Sequence, residues 1–380
     1  MKSKIATAMA LAVGLGASGA QAQGAKSPIS IADQGYFFAG GSYRDTKDGQ
    51  IRTGQMFVQY QIPAERKFPH PVVMVHGGGQ TGTNFLMTPD GREGWATYFL
   101  RQGYAVYVVD QAARGRSGYF TEVYGATRRP NTKAMSERFT APKSSNLYPQ
   151  AALHTQWPGA GVSGDPVFDQ FFASQVEDIA DVSMIELLNR AAGVALLEKI
   201  GPSVLLTHSQ SGTIGWTIAN DRPDLVKGIV AVEPNGPAFY DNEVIGAPDW
   251  FKDGRLSRPN GITRTSLTFD PPLAQGETLQ PQREAKADGA GLVRCWLQPE
   301  PARKLPKLAG IPILIVVSEA SYHAPYDHCA SKFLTQAGVK NEFVRLENIG
   351  IKGNGHMMML EKNNLEVAAY LKGWIEKSIK

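Results

Sequence analysis

The chain has 380 residues, of which 42% are hydrophobic and 19% are charged. This composition excludes disorder for the bulk of the chain, and it suits one large domain with insertions or two domains. The formal net charge is +4 at pH 7 and falls to +2 when Lys2 and Lys4 are removed, so the charge argues against a nucleic-acid partner.

Residues 1–22 have the pattern of a secretory signal peptide. Lys2 and Lys4 precede the apolar run 5–20, and an Ala-Gln-Ala site ending at Ala22 follows it. The run is too short, and too rich in glycine and alanine, to cross a membrane comfortably. We therefore expect cleavage near Ala22 and an exported protein, periplasmic or secreted, without a membrane span in its mature form.

The first predicted elements indicate a sheet that opens with antiparallel strands. Residues 56–61 alternate apolar and polar side chains like an antiparallel strand, and Gly49-Gln50 suits a hairpin turn before it. Residues 71–75 form a continuous apolar run, which is typical of a strand buried on both faces. A helix at 95–102 and a strand at 105–109 follow, and this alternation predicts a parallel continuation of the sheet.

The same alternation of helices and strands returns further along the chain. The predicted helices are 167–179, 182–199, 212–220, 329–337 and 365–378, and the predicted strands are 203–207, 225–232, 311–317 and 342–347. Helices that alternate with buried strands imply a mostly parallel central sheet with helices on both faces. The predicted fold class is therefore α/β.

Two long segments lack this periodicity. Residues 119–164 and 237–308 are rich in proline and glycine, with scattered aromatic residues. Loops of this length inside a compact domain are usually functional. We interpret both as insertions in a single domain over 23–380, and we expect the second to fold as a cap over the C-terminal edge of the sheet.

The segment around Ser209 has the pattern of a strand, a sharp turn and the start of a helix. A serine in such a turn is a candidate nucleophile, because a strand-to-helix elbow exposes its hydroxyl. The usual glycines two residues before and after the serine are here Thr207 and Ser211, which are small enough for the turn. The alternative is that Ser209 and Ser211 are ordinary N-capping hydroxyls of the next helix.

Other chemically useful residues also follow predicted strands. The glycine-rich run 76–82 follows the strand predicted at 71–75, and Glu233 follows the strand predicted at 225–232. Glu319 and Asp327 come after the strand predicted at 311–317, and His356 comes after the one predicted at 342–347. Ligands collect at the C-terminal ends of the strands in an open parallel sheet. Serine, acid and histidine in this chain order form the layout of a Ser-His-acid hydrolase.

These residues resemble the α/β-hydrolase superfamily. Within it they are most similar to secreted bacterial esterases that carry a His-Ser-Gln-Ser-Gly elbow and take a glutamate as triad acid from the strand after the nucleophile helix. The resemblance spans most of the mature chain, and its most specific pieces are residues 208–212, 232–234, 269–272, 322–323 and 355–356. It implies an α/β-hydrolase fold and an exported serine carboxylesterase that forms an acyl-enzyme.

The resemblance also implies a role for each residue. Ser209 would attack the ester carbonyl, and His356 would take the serine proton and pass it to the departing alcohol. The oxyanion would accept hydrogen bonds from the backbone N–H of Gln210 and from that of Gly78 or Gly79. No metal or organic cofactor is implied. The expected partner is a small-molecule ester, and a homodimer is a reasonable assembly.

The triad acid has more than one candidate. Most of the superfamily places the acid after the strand predicted at 311–317, which would favour Glu319 or Asp327. The closer resemblance places it after the preceding strand, at Glu233. We favour Glu233, and its alternative role is that of a turn-capping carboxylate.

His356 is the favoured base among the seven histidines, because it lies in a glycine-flanked loop after the last predicted strand. His323 and His328 are alternatives, since both are close in sequence to the alternative acids, but they precede that strand. We expect His76 to brace the glycine run and His208 to pack within the elbow.

Two other functions stay open at this point. The substrate could be another acyl compound, such as a lactone, amide, thioester or polyester. A non-catalytic α/β-hydrolase scaffold that binds a ligand is the alternative from another functional class, because fold does not imply function. Nucleophile, glycine loop, acid and base are all present, which favours an enzyme.

Cys295 and Cys329 are the two cysteines of the chain. Export to an oxidising compartment would allow a disulfide between them. A bridge and two buried thiols both stay open, because the sequence does not show whether the Cα atoms come within bridging distance. Neither cysteine has a metal-ligand spacing to a histidine, which argues against a cysteine-based metal site.

Overall fold

The computed structural model describes residues 27–380, so the predicted signal peptide lies outside the described residues. The strands are β1 (Ile31–Thr46), β2 (Gly49–Pro63), β3 (Val72–Val75), β4 (Val106–Asp110), β5 (Thr127–Arg128), β6 (Asp178–Ile179), β7 (Ser203–His208), β8 (Val226–Val232), β9 (Phe239–Gly246), β10 (Trp250–Arg258), β11 (Gln282–Arg283), β12 (Trp296–Leu297), β13 (Ile313–Val317) and β14 (Glu342–Arg345).

The α-helices range from single turns to one of 19 residues. They are α1 (Thr83–Leu86), α2 (Trp95–Arg101), α3 (Thr121–Tyr124), α4 (Thr132–Met135), α5 (Pro142–Ser145), α6 (Pro166–Ala173), α7 (Val182–Ile200), α8 (Ser211–Asp221), α9 (His328–Gln336) and α10 (Asn364–Ser378). Between residues 27 and 380, none of the helices is both long and apolar enough to cross a bilayer.

Eight of the strands form one central sheet in the order β1-β2-β4-β3-β7-β8-β13-β14. β2 is antiparallel to both of its neighbours, β1 and β4. All the other neighbouring pairs run parallel. The predicted sheet, antiparallel at its start and parallel beyond, is confirmed.

The parallel strands are buried on both faces, as their unbroken apolar runs predict. Val73 and Leu205 belong to a core on one side of the sheet, to which α7 and α8 contribute. Met74 and Leu206 belong to a core on the other side, with α2 and α10. Two packed cores hold the strands, and therefore the loops at their ends, in fixed positions.

The first two strands form a hairpin that is longer than predicted. The structure extends the strand expected at 56–61 to the whole of β2 and pairs it with the 16 residues of β1. Met56 and Val58 reach the core, whereas most of β1 is exposed. The alternation that identifies a strand is therefore legible only over the part of the hairpin with one buried face.

The helix predicted at 167–179 is wrong in its C-terminal part. Asp165 accepts the backbone N–H of Phe168 and opens α6, but the helix ends at Ala173. The backbone N–H of Val176 then donates to the carbonyl of Gly79 at 2.8 Å, and β6 pairs with β5. The segment thus packs against the glycine run instead of continuing the helix.

The two predicted insertions differ in structure. Residues 119–164 contain the short helices α3 to α5. Residues 237–308, which we expected to be irregular, contain the hairpin β9–β10. The hairpin has three register shifts, so its side chains do not alternate with a period of two, and the strand pattern is lost from the sequence.

Cys295 and Cys329 form a disulfide, with their Cα atoms 5.2 Å apart. Of the two arrangements left open by the sequence, the structure therefore has the bridge. The disulfide ties the second insertion to α9, because Cys295 lies just before β12 and Cys329 is the second residue of the helix.

Candidate active site

Ser209 lies at a sharp turn between β7 and α8. Its φ of +54° is in the left-handed region that few residues other than glycine adopt. Its backbone N–H donates to the carbonyl of Val232 at 3.0 Å. The residue at the N-cap of α8 is Gln210, and no side-chain capping bond is made there, so Ser209 does not act as a helix cap. The turn leaves its hydroxyl facing a cavity.

The packing explains how the elbow forms without its usual glycines. The Ser211 hydroxyl is buried, accepts the backbone N–H of His208 at 2.9 Å and lies 2.7 Å from the carbonyl oxygen of Val75. A glycine could make neither contact. The close approach falls instead on Gly212, where an added Cβ would lie 2.5 Å from the Cβ of Pro234.

Glu233 and His356 form a buried pair, with His356 Nδ1 2.5 Å from Glu233 Oε2. Glu233 follows β8 directly and has a φ of +44°, so the chain turns sharply at this residue too. Its carboxylate also accepts the backbone N–H of Ser318 at 2.8 Å and the hydroxyls of Ser318 and Ser321 at 2.5 and 2.6 Å. Donors from two elements thus surround the acid.

Burial governs the protonation of this pair. It lowers the pKa of His356 well below its usual value, and the nearby His323 and Arg138 lower it further. Burial also raises the pKa of Glu233, while His323 and the two serine hydroxyls oppose that rise. The ring of His356 is therefore neutral at neutral pH. Since its Nδ1 faces Glu233, its Nε2 is the nitrogen that can accept a proton.

The neighbours of Ser209 lie against His356. The ring of His208 is 4.5 Å from that of His356, and His208 Nε2 is 3.0 Å from the His356 carbonyl oxygen. The Ser209 hydroxyl interacts with that of Tyr322, whose ring is 5.0 Å from the ring of His356. Within residues 27–380 no hydrogen bond joins Ser209 to His356, and catalytic hydrogen bonds commonly tighten only when substrate binds.

The glycine run passes directly beside the nucleophile. An added Cβ at Gly77 would lie 3.1 Å from the Cβ of Ser209. Gly78 lines the same cavity as Ser209 and Gln210. Gly79 faces away, towards Pro130. Of the two glycines expected to hold an oxyanion, Gly78 is therefore the one next to the nucleophile.

A buried ion pair between Arg114 and Asp178 supports the same loop. Arg114 donates to the carbonyl of Gly77 at 2.9 Å and to the side-chain oxygen of Gln210 at 3.0 Å, and Asp178 accepts the Gln210 amide at 3.0 Å. This ion pair is not predicted from the sequence, because the two charges are 64 residues apart. The available signal was an arginine in a loop of small residues after β4.

The alternative acids and bases have other partners. Glu319 accepts a backbone N–H from the loop before the last histidine, at 2.8 Å. Asp327 pairs with His323, whose Nδ1 is 2.9 Å from Asp327 Oδ1. Burial raises the pKa of Asp327 well above its usual value. The Nε2 of His328 lies 3.3 Å from the Sγ of Cys295, beside the disulfide.

Two clusters bring three potential metal ligands within 4.8 Å of one another. One consists of Glu233, His323 and His356, and the other of Cys295, His328 and Cys329. In the first cluster two ligating groups are hydrogen bonded to each other, and in the second the two sulfurs are bonded together. We therefore assign no metal to either cluster.

The cavity above Ser209 has a volume of about 380 Å³. Arg138 and Phe139 of the first insertion line it, together with Asn242 and Arg264 of the second. Both insertions thus contribute walls to the space that a substrate of Ser209 would occupy.

Comparison with known proteins agrees with this architecture. The family model described as "Alpha/beta hydrolase family" matches residues 72–370. A curated relative, "Probable secreted lipase phiG" from Fungal sp. (strain ATCC 74256), is 45% identical over 342 residues, which are 90% of this chain and 89% of the relative. A solved structure of a novel bacterial esterase is 25% identical, covers 93% of this chain and 98% of its own, and has a TM-score of 0.62. The protein belongs to the alpha/beta hydrolase family.

Proposed function

We propose that this protein is a serine carboxylesterase with Ser209 as nucleophile, His356 as base and Glu233 as acid. The observation that carries the proposal is the buried 2.5 Å contact between His356 Nδ1 and Glu233 Oε2, next to a serine held in a nucleophile elbow. The names of the two relatives, a secreted lipase and an esterase, support ester hydrolysis as the reaction.

In the proposed mechanism Ser209 Oγ attacks the ester carbonyl carbon while its proton passes to His356 Nε2. Glu233 holds the imidazole in orientation and stabilises the imidazolium that forms. His356 then gives the proton to the alkoxide, and the carbonyl–oxygen bond to the alcohol breaks. Water repeats the cycle against the acyl-enzyme, which releases the carboxylic acid and restores Ser209.

The oxyanion of each tetrahedral intermediate would lie between the backbone N–H groups of Gln210 and Gly78. Loss of one such donor typically costs about 10²–10³ in rate. Arg114 and Asp178 would act as positioning residues, because they hold the side chain of Gln210 and the glycine run in place. Gly79 faces Pro130, which supports Gly78 as the second donor.

Glu233 is the proposed acid in preference to Glu319 and Asp327. The carboxylate of Glu233 contacts His356, whereas Glu319 accepts a backbone N–H and Asp327 pairs with His323. The same contacts favour His356 as the base, because the hydrogen bond of His323 leads to an acid on its own loop.

We propose that residues 23–380 form one domain in which 119–164 and 237–308 cover the active site. Residues of both insertions line the cavity above Ser209, which supports this arrangement. The range matched by the family model, residues 72–370, includes both segments. A homodimer stays a prediction.

We also propose that the protein is exported after cleavage near Ala22. The disulfide between Cys295 and Cys329 supports export, because such bonds persist in oxidising compartments. The relative named as a secreted lipase supports it as well. Sequencing the N-terminus of protein from the periplasm or medium should find a start near Gln23. An uncleaved chain confined to the cytoplasm would refute the proposal.

Hydrolysis of 4-nitrophenyl esters by wild type and Ser209→Ala tests the proposed reaction. We expect the wild type to release nitrophenol and the variant to lose at least about 10⁴-fold in kcat. Ser144→Ala, which removes an exposed hydroxyl from α5, is the matched control and should equal wild type. A folded wild type that is inactive on esters of every acyl length would contradict the proposal.

A further inference from the structure

The cavity above Ser209 contains donors that have no acceptor. The Nε of Arg264 and the Nδ2 of Asn242 are buried, and neither finds a hydrogen-bond partner within residues 27–380. Both side chains line the cavity that Ser209 faces. Buried donors are nearly always paired in folded proteins, and the described chain supplies no acceptor to these two, so an acceptor on a ligand in contact with the two side chains would complete this wall of the cavity.

The backbone that carries Arg264 is held firmly. Glu186 on α7 accepts the backbone N–H of Arg264 at 3.1 Å and that of Thr265 at 2.6 Å. Among residues 27–380 no ion pair is formed by the Arg264 guanidinium, although the charge of Glu186 is close enough to stabilise it. Burial lowers the pKa of Arg264 to about 10; Arg258 adds to this shift, whereas the nearby carboxylates of Glu186 and Asp241 oppose it, so the side chain still carries its charge at neutral pH.

The other charged groups of the cavity are mostly neutralised by partners. Arg128 pairs with Asp178, Arg255 with Asp241, and Glu243 with Lys252. The exposed side chain of Arg138, which lies over the ring of Tyr322, forms no ion pair within the described chain. Asp178 also pairs with Arg114, and Asp241 with Arg258, so the cavity lining and its ion pairs together carry a net positive charge.

We propose that the substrate is an ester that also carries a carboxylate group, and that Arg264 binds this carboxylate. Asn242 would donate to it, and Arg138 would attract it at the cavity mouth. The planar fork of a guanidinium matches a carboxylate with two parallel hydrogen bonds. The net positive charge of the cavity lining suits an anionic substrate. This inference rests on the proposed esterase activity and names its substrate class.

The same lining disfavours a long, uncharged acyl chain. A hydrocarbon chain in this cavity would cover the Arg264 guanidinium and the Asn242 amide without offering them an acceptor, and buried polar groups left unpaired weaken binding. The selectivity of this enzyme would therefore differ from that of an enzyme for neutral fatty esters.

Two matched pairs of esters test the inference with the wild-type enzyme. The first compares 4-nitrophenyl hemiglutarate with 4-nitrophenyl pentanoate, which places the carboxylate on the acyl side. The second compares the pentanoate esters of 4-hydroxybenzoic acid and 4-methylphenol, which places it on the alcohol side. We expect kcat/KM to favour the acidic ester of one pair by about tenfold to a hundredfold, as a charge-assisted hydrogen bond provides. Equal or better turnover of the neutral ester in both pairs overturns the inference.

Variants of Arg264 test whether this residue causes the preference for acidic esters. Arg264→Met should lower the ratio of acidic to neutral kcat/KM at least tenfold, and Arg264→Lys should retain part of the preference. The control is Lys47→Gln, which removes an exposed positive charge from the turn between β1 and β2, outside the cavity lining, and it should keep the wild-type ratio. An unchanged ratio in Arg264→Met overturns the assignment of this residue.

Two further readouts keep the outcomes distinct. If Arg264→Met does not fold, competitive inhibition of the wild type should be at least tenfold stronger with glutarate monomethyl ester than with methyl pentanoate, and equal inhibition contradicts the inference. Enzyme that hydrolyses neutral esters without any acid preference leaves the esterase proposal intact and refutes the substrate class. Enzyme inactive on all four esters, with Ser209 unreactive, refutes the esterase proposal itself.

Discussion

Two acid–histidine pairs lie side by side in this protein, and they differ in their hydrogen-bond partners, in the sequence separation of their residues and in their protonation. His356 pairs with Glu233 and His323 pairs with Asp327, and the two imidazole rings stack 4.6 Å apart at 15°. Glu233 has serine donors in addition to its histidine, whereas the second oxygen of Asp327 is buried without a partner. Hydrogen-bond donors therefore stabilise the anionic form of Glu233, whereas Asp327 has fewer donors to stabilise its anion.

The chain connectivity of the two pairs also differs. His323 and Asp327 are four residues apart, whereas Glu233 and His356 are 123 residues apart and meet through the ends of separate strands. Burial raises the pKa of Asp327 well above its usual value and lowers that of His323 to about 4. The local pair is thus a neutral brace. A histidine beside an acid is therefore insufficient evidence for a catalytic pair, and the donors around the acid distinguish the two.

The largest effect should come from breaking the proposed catalytic pair. Glu233→Gln should lower kcat by about 10³–10⁴, because the amide no longer stabilises the imidazolium. Asp327→Asn and Glu319→Gln are the matched controls and should each stay within about tenfold of wild type. Steady-state kinetics on one nitrophenyl ester measures all three, and the reverse ranking would assign the acid to another residue.

The pair of His323 and Asp327 should make the free energy of unfolding depend on pH. In the unfolded chain His323 takes up its proton near pH 6.5, but in the folded chain only near 4, so folding stability falls as the pH drops through that window. His323→Gln should remove up to about 3 kcal/mol of this loss. Urea unfolding of wild type, His323→Gln and the control His70→Gln at pH 7 and pH 4.5 measures the loss of unfolding free energy in each protein. An equal loss in all three proteins would contradict a neutral pair of His323 and Asp327.

The donors to Glu233 should contribute less each. Ser318→Ala and Ser321→Ala each remove a hydroxyl that favours the carboxylate over the acid, so the pKa of Glu233 should rise. We expect each to lower kcat by about tenfold, equivalent to about one hydrogen bond to a charged group. Steady-state kinetics on one nitrophenyl ester measures both variants, and wild-type kcat in both would contradict a contribution from these hydroxyls. Ser331→Ala, on α9, is the control and should equal wild type.

The smallest effect should be the change of wild-type activity in weak acid. His356 acts as a base only when neutral, and burial holds its pKa well below the usual value near 6.5. Activity should therefore be lost only as the pH falls through this lowered pKa. We expect kcat/KM at pH 6 within about twofold of its value at pH 8. A midpoint at pH 7 would mean that the ion pair with Glu233 outweighs burial.

The parts of the fold that the sequence predicted are those with strong local patterns. The unbroken apolar runs before the glycine loop and before Ser209 identified β3 and β7, since both faces of each strand are buried. The hairpin β9–β10 escaped prediction because its bulges break the alternation. The end of α6 was misplaced because a contact between Val176 and Gly79 stops the helix, and the local sequence does not record it.

The residues of the candidate site also fall into two groups, those predicted from the sequence and those found only in the structure. Ser209, Glu233 and His356 each follow a strand, so one rule about strand ends was enough to place them near one another. Arg114, Ser318 and Ser321 were not identified as part of the site. Their importance lies in contacts with residues 37 to 88 positions away, which only the folded chain establishes.

The most direct test of the central claim is reaction of the wild-type protein with a fluorophosphonate, followed by intact-mass measurement and peptide mapping. The proposed triad predicts a single adduct on Ser209, formed quickly by wild type and by Asp327→Asn and slowly by Glu233→Gln. A folded wild-type protein that stays unmodified, or that carries its adduct on another residue, would contradict it.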